Sequence, residues 1–205
     1  MSVVDPSPVE GAYLEVAGSF VDLVASLPAS LTGPGLGEWD LRALVGHTAR
    51  SLITVIEYLD RPADAATLDS PAAYVAAAGE LVAADPGAVT QRGVAAGDAL
   101  GAEPAAYVRD LLGAVSAKLA DADPDQLVTT IAGGMRLRDY LPTRSFELVV
   151  HGLDIAAAVP THWTPPAAAL RTAVAVAGEV AVLRGEGSAL LRLITGREPG
   201  GISIV

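Results

Sequence analysis

The chain has no cysteine among its 205 residues. That excludes disulfides, thiolate metal sites, iron–sulfur clusters and cysteine nucleophiles. Any metal must then be held by imidazole, carboxylate and water, and the only histidines are His47, His151 and His162. Basic residues are also scarce. Thirteen Lys+Arg stand against 24 Asp+Glu, a formal charge of −11, and Lys118 is the only lysine. Nucleic-acid binding rests on basic side chains displacing counterions, and anionic membrane surfaces attract the same groups. Neither partner is expected of so acidic a chain. No uncharged apolar run reaches the roughly 18 residues that a membrane-spanning helix needs. The opening MSVVDPSPVEG carries acids where a secretory signal needs bases, so the expected location is the cytoplasm.

Alanine is abundant, at 39 positions, while aromatics make up 4%. Alanine is the best intrinsic helix former, and few segments alternate with period 2. These features predict an all-α fold with closely packed helices. The first helix is expected over 8–27, with Tyr13, Val16, Ala17, Phe20, Leu23 and Val24 recurring at spacings of three and four. Gly/Pro-rich 31–38 reads as loop. Asp40 caps a second helix over 41–59, with Trp39 placed to staple its start to the core.

Ser70-Pro71 opens a helix to about 84. Asp85-Pro86 repeats the signal, but Gly87, Gly93, Gly97 and Gly101 make that segment a loosely packed helix or a loop. Further helices are expected at 104–120, at 139–159 with Pro142 in the first turn, from Pro165-Pro166 to 183, and at 188–195 before Gly196. Residues 127–131 and the tail GISIV are β-prone, and Gly133-Gly134 reads as a turn. The tail would pair with 127–131 or lie extended. The whole is expected to be one structural unit, a bundle over 1–160 and a helical extension over 161–205 packed on it.

The chemically informative stretch is TRSFELVVHGLDIAAAV, residues 143–159. At helical spacing Arg144, Glu147, His151 and Asp154 share a stripe about 80° wide. Phe146, Leu148, Val149, Val150, Leu153 and Ile155 surround it, so the charges would be costly to bury unless paired or bound to a cation. A carboxylate and an imidazole four residues apart can reach one metal ion. The same four residues could instead form an internal hydrogen-bond and salt-bridge ladder. A third donor from another helix would favour the metal, and His47, two turns into its helix, is the strongest candidate. His162 lies in the loop THWTPP and is expected to be exposed.

The run WDLRALVGH at 39–47 resembles the helix start of the DinB-like superfamily and, more closely, of the mycothiol-dependent maleylpyruvate isomerase N-terminal domain family. RSFELVVHGLDIA at 144–156 matches that family's second motif, R-x-x-E-x-x-x-H-x-x-D. LLRLITGR at 190–197 is similar to its C-terminal signature. Ala43 departs from the pattern, standing where relatives often carry an acid.

The resemblance implies a four-helix bundle holding a divalent metal on His47, Glu147 and His151. It also implies a low-molecular-weight thiol, mycothiol, as cosubstrate for isomerisation or S-transfer on a small electrophile. A cosubstrate that brings its own sulfur would explain thiol chemistry in a cysteine-free protein. Zinc suits the N/O donors best, with nickel or iron as alternatives. In this reading Asp154 either accepts the free N–H of His151 or ligates directly. Arg144 would bind a substrate carboxylate or pair with its neighbouring acids, and Arg50 would face the same cavity or solvent. Trp39 and Tyr140 would line a pocket or pack in the core. The alternative is a non-catalytic metal- or ligand-binding bundle. The alanine-rich faces permit a homodimer. Because imidazole must be neutral to ligate, metal affinity is expected to fall as pH drops through roughly 6 to 7.

Overall fold

A computed structural model describes residues 7–28 and 30–197. The described residues form eight helices and one hairpin: α1 (Pro8–Ser26), α2 (Leu41–Leu59), α3 (Pro71–Ala84), α4 (Pro86–Ala99), α5 (Pro104–Ala120), β1 (Leu127–Thr130), β2 (Gly133–Arg136), α6 (Leu137–Ala158), α7 (Ala167–Leu183) and α8 (Gly187–Ile194). Four helix starts carry side-chain caps that answer orphan amides. Ser7, Asp40, Ser70 and Asp85 each accept from the backbone N–H three residues on, at 3.2, 2.7, 3.2 and 3.0 Å.

The bundle is a ring of four helices. α1 packs on α5 and α6, and α2 packs on the same pair from the other side. Tyr13 and Phe20 of α1, Leu44 and Leu52 of α2, Val108 and Val115 of α5, and Leu148 and Ile155 of α6 are all buried. Each such side chain contributes about 1.5–3 kcal/mol on leaving water. Lys118 of α5 reaches across to α2, donating to the Ile56 carbonyl at 3.1 Å and pairing with Asp60. Outside the ring, α4 lies along α2, α7 covers α6 and α1, α3 fills the angle between α6 and α7, and α8 packs on α7. No helix among the described residues is long and apolar enough to cross a membrane.

Three expectations need correction. First, the segment after Asp85 is neither loop nor loosely packed. It is a regular helix pressed hard against α2, because Gly46 and Gly97 let the two backbones meet. A Cβ on Gly46 would overlap the Gly97 backbone, and one on Gly97 would lie 3.0 Å from the Ala43 Cα.

Second, β1 pairs antiparallel with β2, Leu127 opposite Arg136 and Thr130 opposite Gly133. Gly133 and Gly134 are therefore strand residues, and the turn is Ile131-Ala132. Thr130 Oγ1 accepts from the Ala132 and Gly133 amides at 3.2 and 3.1 Å, which closes that turn. Gly133 takes φ +141°, a conformation that glycine adopts without strain. The GISIV tail lies outside the described residues.

Third, α6 begins at Leu137, two residues early, which puts Pro142 inside the helix. Its first amides are met by the preceding loop instead of a cap. Leu137 N–H donates to Gln126 at 2.9 Å and Arg138 N–H to Pro124 at 2.9 Å.

Candidate metal centre and cavity

Two helices bring the histidines together. Asp40 fixes the start of α2, and His47 follows seven residues on. α6 carries Glu147, His151 and Asp154 on successive turns. His47, Glu147 and His151 each offer a donor atom, and the three atoms lie within 4.8 Å of one another. The imidazoles meet edge to face with centroids 5.0 Å apart. His151 has a carboxylate on either side, Glu147 Oε2 at 3.2 Å from Nε2 and Asp154 Oδ2 at 3.0 Å from Nδ1. Asp154 is not one of the three convergent donors, and it touches the cluster only through that ring.

Burial and charge set the protonation states. Desolvation, reinforced by the nearby His151, lowers the His47 pKa to about 4, so this ring is neutral at neutral pH. Burial opposes the charge on His151, but hydrogen bonds to Asp154 and Glu147 outweigh it and raise its pKa to about 9. Burial also opposes ionisation of Glu147, yet its hydrogen bond to His151 and the Arg144 charge bring it down to about 2. His47 Nδ1 is buried with no hydrogen-bond partner. A neutral ring with an orphaned nitrogen, a carboxylate and a second imidazole make a donor set that fits a divalent cation with open positions left over. These are the residues that could hold one.

The cluster opens into a cavity of about 530 Å³. Trp39 forms one wall. Its ring lies over His47 with centroids 4.4 Å apart, and its Nε1–H donates to the Thr90 carbonyl of α4 at 3.1 Å. Only glycine fits beneath it, since a Cβ on Gly93 would overlap the indole. Arg144 lines the floor and is 7% exposed. It makes no ion pair with Glu147 or Asp154. Its guanidinium stacks over Tyr140 and Tyr74, at 5.0 and 5.2 Å, and its Nε–H donates to Thr143 at 3.0 Å. Desolvation works against this charge, but Tyr140, Tyr74 and Glu147 hold its pKa up. The ladder expected among the four residues of α6 is therefore only half formed, around His151.

Tyr140 is fully buried beneath Arg144 and donates to Thr54 at 2.8 Å. Arg50 lines the cavity beside His47. His162 is exposed and does not reach it. Two further arginines at the cavity escaped the reading of the sequence: Arg92 from α4 and Arg184 from the end of α7. Neither lies in a motif. The four-residue spacing of Gly93 and Gly97 was the available signal for Arg92, because small residues at that interval mark a face on which another helix packs closely.

Residues 14–156, more than half of the chain, match a family model described as the mycothiol maleylpyruvate isomerase N-terminal domain. No curated protein and no solved structure matches the chain.

Proposed function

The chain belongs to the mycothiol maleylpyruvate isomerase N-terminal domain family, and on that premise we propose that it is a divalent-metal-dependent enzyme. It would use a low-molecular-weight thiol, mycothiol, as a transferase or isomerase acting on a small electrophile. The observation that carries this reading is the convergence of His47, Glu147 and His151, from two helices, at the floor of a cavity large enough for small molecules.

His47, Glu147 and His151 would hold the cation, zinc being the first expectation for two nitrogens and one oxygen and nickel or iron the alternatives. A divalent cation bound there would act as a Lewis acid that favours the thiolate form of a thiol at neutral pH. Asp154 is a positioning residue, fixing the ring of His151 through the 3.0 Å contact at Nδ1. Trp39 keeps water from one face of His47. Arg144, held against two tyrosine rings, presents its remaining N–H groups to an anionic part of the substrate, and Arg50 adds a second cation on the α2 side. The thiol gives up its proton and its sulfur bonds to an electrophilic carbon, as a π bond there opens onto the neighbouring atom (isomerisation) or a leaving group departs with the bonding pair (transfer). In an isomerisation the same bond breaks again after the carbon framework has rotated.

Metal analysis of protein purified without a histidine tag is the first test. About one equivalent is expected in wild type, with loss in His47→Ala and in His151→Ala. Metal retained in both variants would overturn the assignment of the donors. The second test incubates loaded protein with mycothiol and monochlorobimane. Conjugation above background that disappears in His151→Ala supports the enzyme. A loaded protein that conjugates nothing across several thiols and electrophiles is a binding bundle instead.

A further inference from the structure

The outer face of α7 is apolar where a terminal helix facing water is ordinarily polar. Its inner face is accounted for, with Ala169, Ala173, Val176 and Val180 buried against the bundle. On the outside Val174 and Val182 are 64% and 68% exposed, and Leu170 and Leu183 join them. α8, packed on α7 with none of its residues buried, adds exposed Leu191 and Ile194. Exposed apolar surface of this kind, left uncovered among the described residues, marks an interaction site.

The charges on the same face indicate what makes the contact. Arg171, Ala175 and Glu179 form one row at intervals of four, all exposed. The cation and the anion thus lie one turn either side of an alanine. Among the described residues neither Arg171 nor Glu179 has an ion-pair partner. Next to the row is Gly178, where an added Cβ would meet nothing within 4 Å. It opens onto a groove of about 560 Å³ between α7 and the start of α3.

A charge pattern of this form is its own complement. When a second copy of the helix is laid antiparallel across the first, with a two-fold axis at Ala175, each Arg171 faces the partner's Glu179 about 6 Å of helix rise from the axis. Both contacts form together because the interface is isologous. The small residues at the crossing let the backbones approach, and the open groove at Gly178 receives an apolar side chain from across the axis. A heterologous protein would need only an apolar face and would give no reason for the charges to mirror one another. We propose that the chain forms a homodimer through the outer faces of α7, packed antiparallel about Ala175.

Sedimentation velocity tests this with the full chain. Wild type should run at twice the 20.7 kDa of one chain. Arg171→Glu and Glu179→Arg should each fall to monomer, because either change sets two like charges against each other. The two single variants mixed should recover a dimer, since each supplies the charge that the other lacks, and the double variant Arg171→Glu/Glu179→Arg should dimerise alone. Both positions are exposed, so circular dichroism should show every variant folded. A wild type that stays monomeric at high concentration overturns the proposal. So does a dimer that survives both single changes, or single variants that stay monomeric when mixed.

Discussion

His47 and His151 face each other across 5.0 Å yet hold protons very differently. Burial strips His47, while two carboxylates keep His151 charged. Without metal, His151 stays protonated up to about pH 9 and His47 is neutral down to about 4. Loading a cation at neutral pH should therefore expel about one proton, all of it from His151. Apparent affinity should rise about tenfold per pH unit from neutrality to about 9 and flatten above that. The expectation of a transition near 6 to 7, natural for a free imidazole, is thus moved upward by Asp154 and Glu147. Binding isotherms across that range check this, and a profile flat from neutrality to pH 9 would contradict it. Asp154→Asn separates the two effects of the carboxylate. The pKa of His151 should fall toward 6.5, shifting the midpoint down. Above pH 9, where protons no longer compete, affinity should still drop about 10–100-fold because the ring is held less firmly. Stability of the metal-free chain follows the same pair. The unfolded pKa of each ring is close to 6.5. The raised pKa of His151 contributes stability that is lost as pH climbs from there to about 9, and the depressed pKa of His47 costs stability as pH falls from there to about 4. Urea midpoints of the metal-free protein should peak between these limits.

At the scale of elements, the seam between α2 and α4 is what keeps the His47 side of the site closed. Gly46 and Gly97 allow backbone contact, and Trp39 bridges the same two helices beside His47. Gly46→Ala should cost about 1–3 kcal/mol, the usual penalty of overpacking. By pushing α4 outward it should also weaken metal binding. Gly18→Ala, in α1 where an added Cβ meets nothing, should instead gain up to about 1 kcal/mol. Chemical denaturation of both variants distinguishes a packed glycine from a merely permissive one. The same seam shows where sequence patterns ran out. α1 and α2 were legible because their apolar residues recur every three or four positions and their caps are explicit, whereas the start of α6 was misplaced because no side chain caps it. The glycines of α4 read as weakness because local propensity counts only what glycine costs, whereas its use here is to let a second backbone approach. Likewise Gly133-Gly134 has the composition of a turn. Its strand role depends on residues 63 to 68, distant in sequence, whose backbone bonds both edges of the hairpin: Ala63 N–H donates to Leu127, and Thr67 and Leu68 donate to Gly134. Glu147 and His151 could be read together because α6 fixes them by spacing alone. That His47 meets them depends on how α2 packs against α6.

Across the whole molecule the charge is −11, yet the cavity reverses that sign. Arg50, Arg92, Arg144 and Arg184 line it, and Glu147 is the only carboxylate among its lining residues. Four of the chain's few basic residues are thus spent on one concave surface. An anion approaching the protein from afar is repelled, but within about a Debye length of the mouth, roughly 8–10 Å at ordinary ionic strength, the arginines dominate. Arg92 and Arg184 are exposed at the rim, and Arg144 is buried at the floor. The rim pair should therefore govern capture, while Arg144 governs the bound geometry. For an anionic electrophile, added salt should lower kcat/KM, and Arg92→Glu or Arg184→Glu should raise KM severalfold with kcat nearly unchanged. A neutral electrophile of the same size should respond to neither. Arg144→Lys keeps the charge but loses the planar group that packs against Tyr74 and Tyr140, so it should lower kcat as well. Steady-state kinetics with a matched pair of charged and uncharged electrophiles, at two salt concentrations, measures all of these. Equal salt dependence for the two would mean that the arginines serve the fold rather than the ligand.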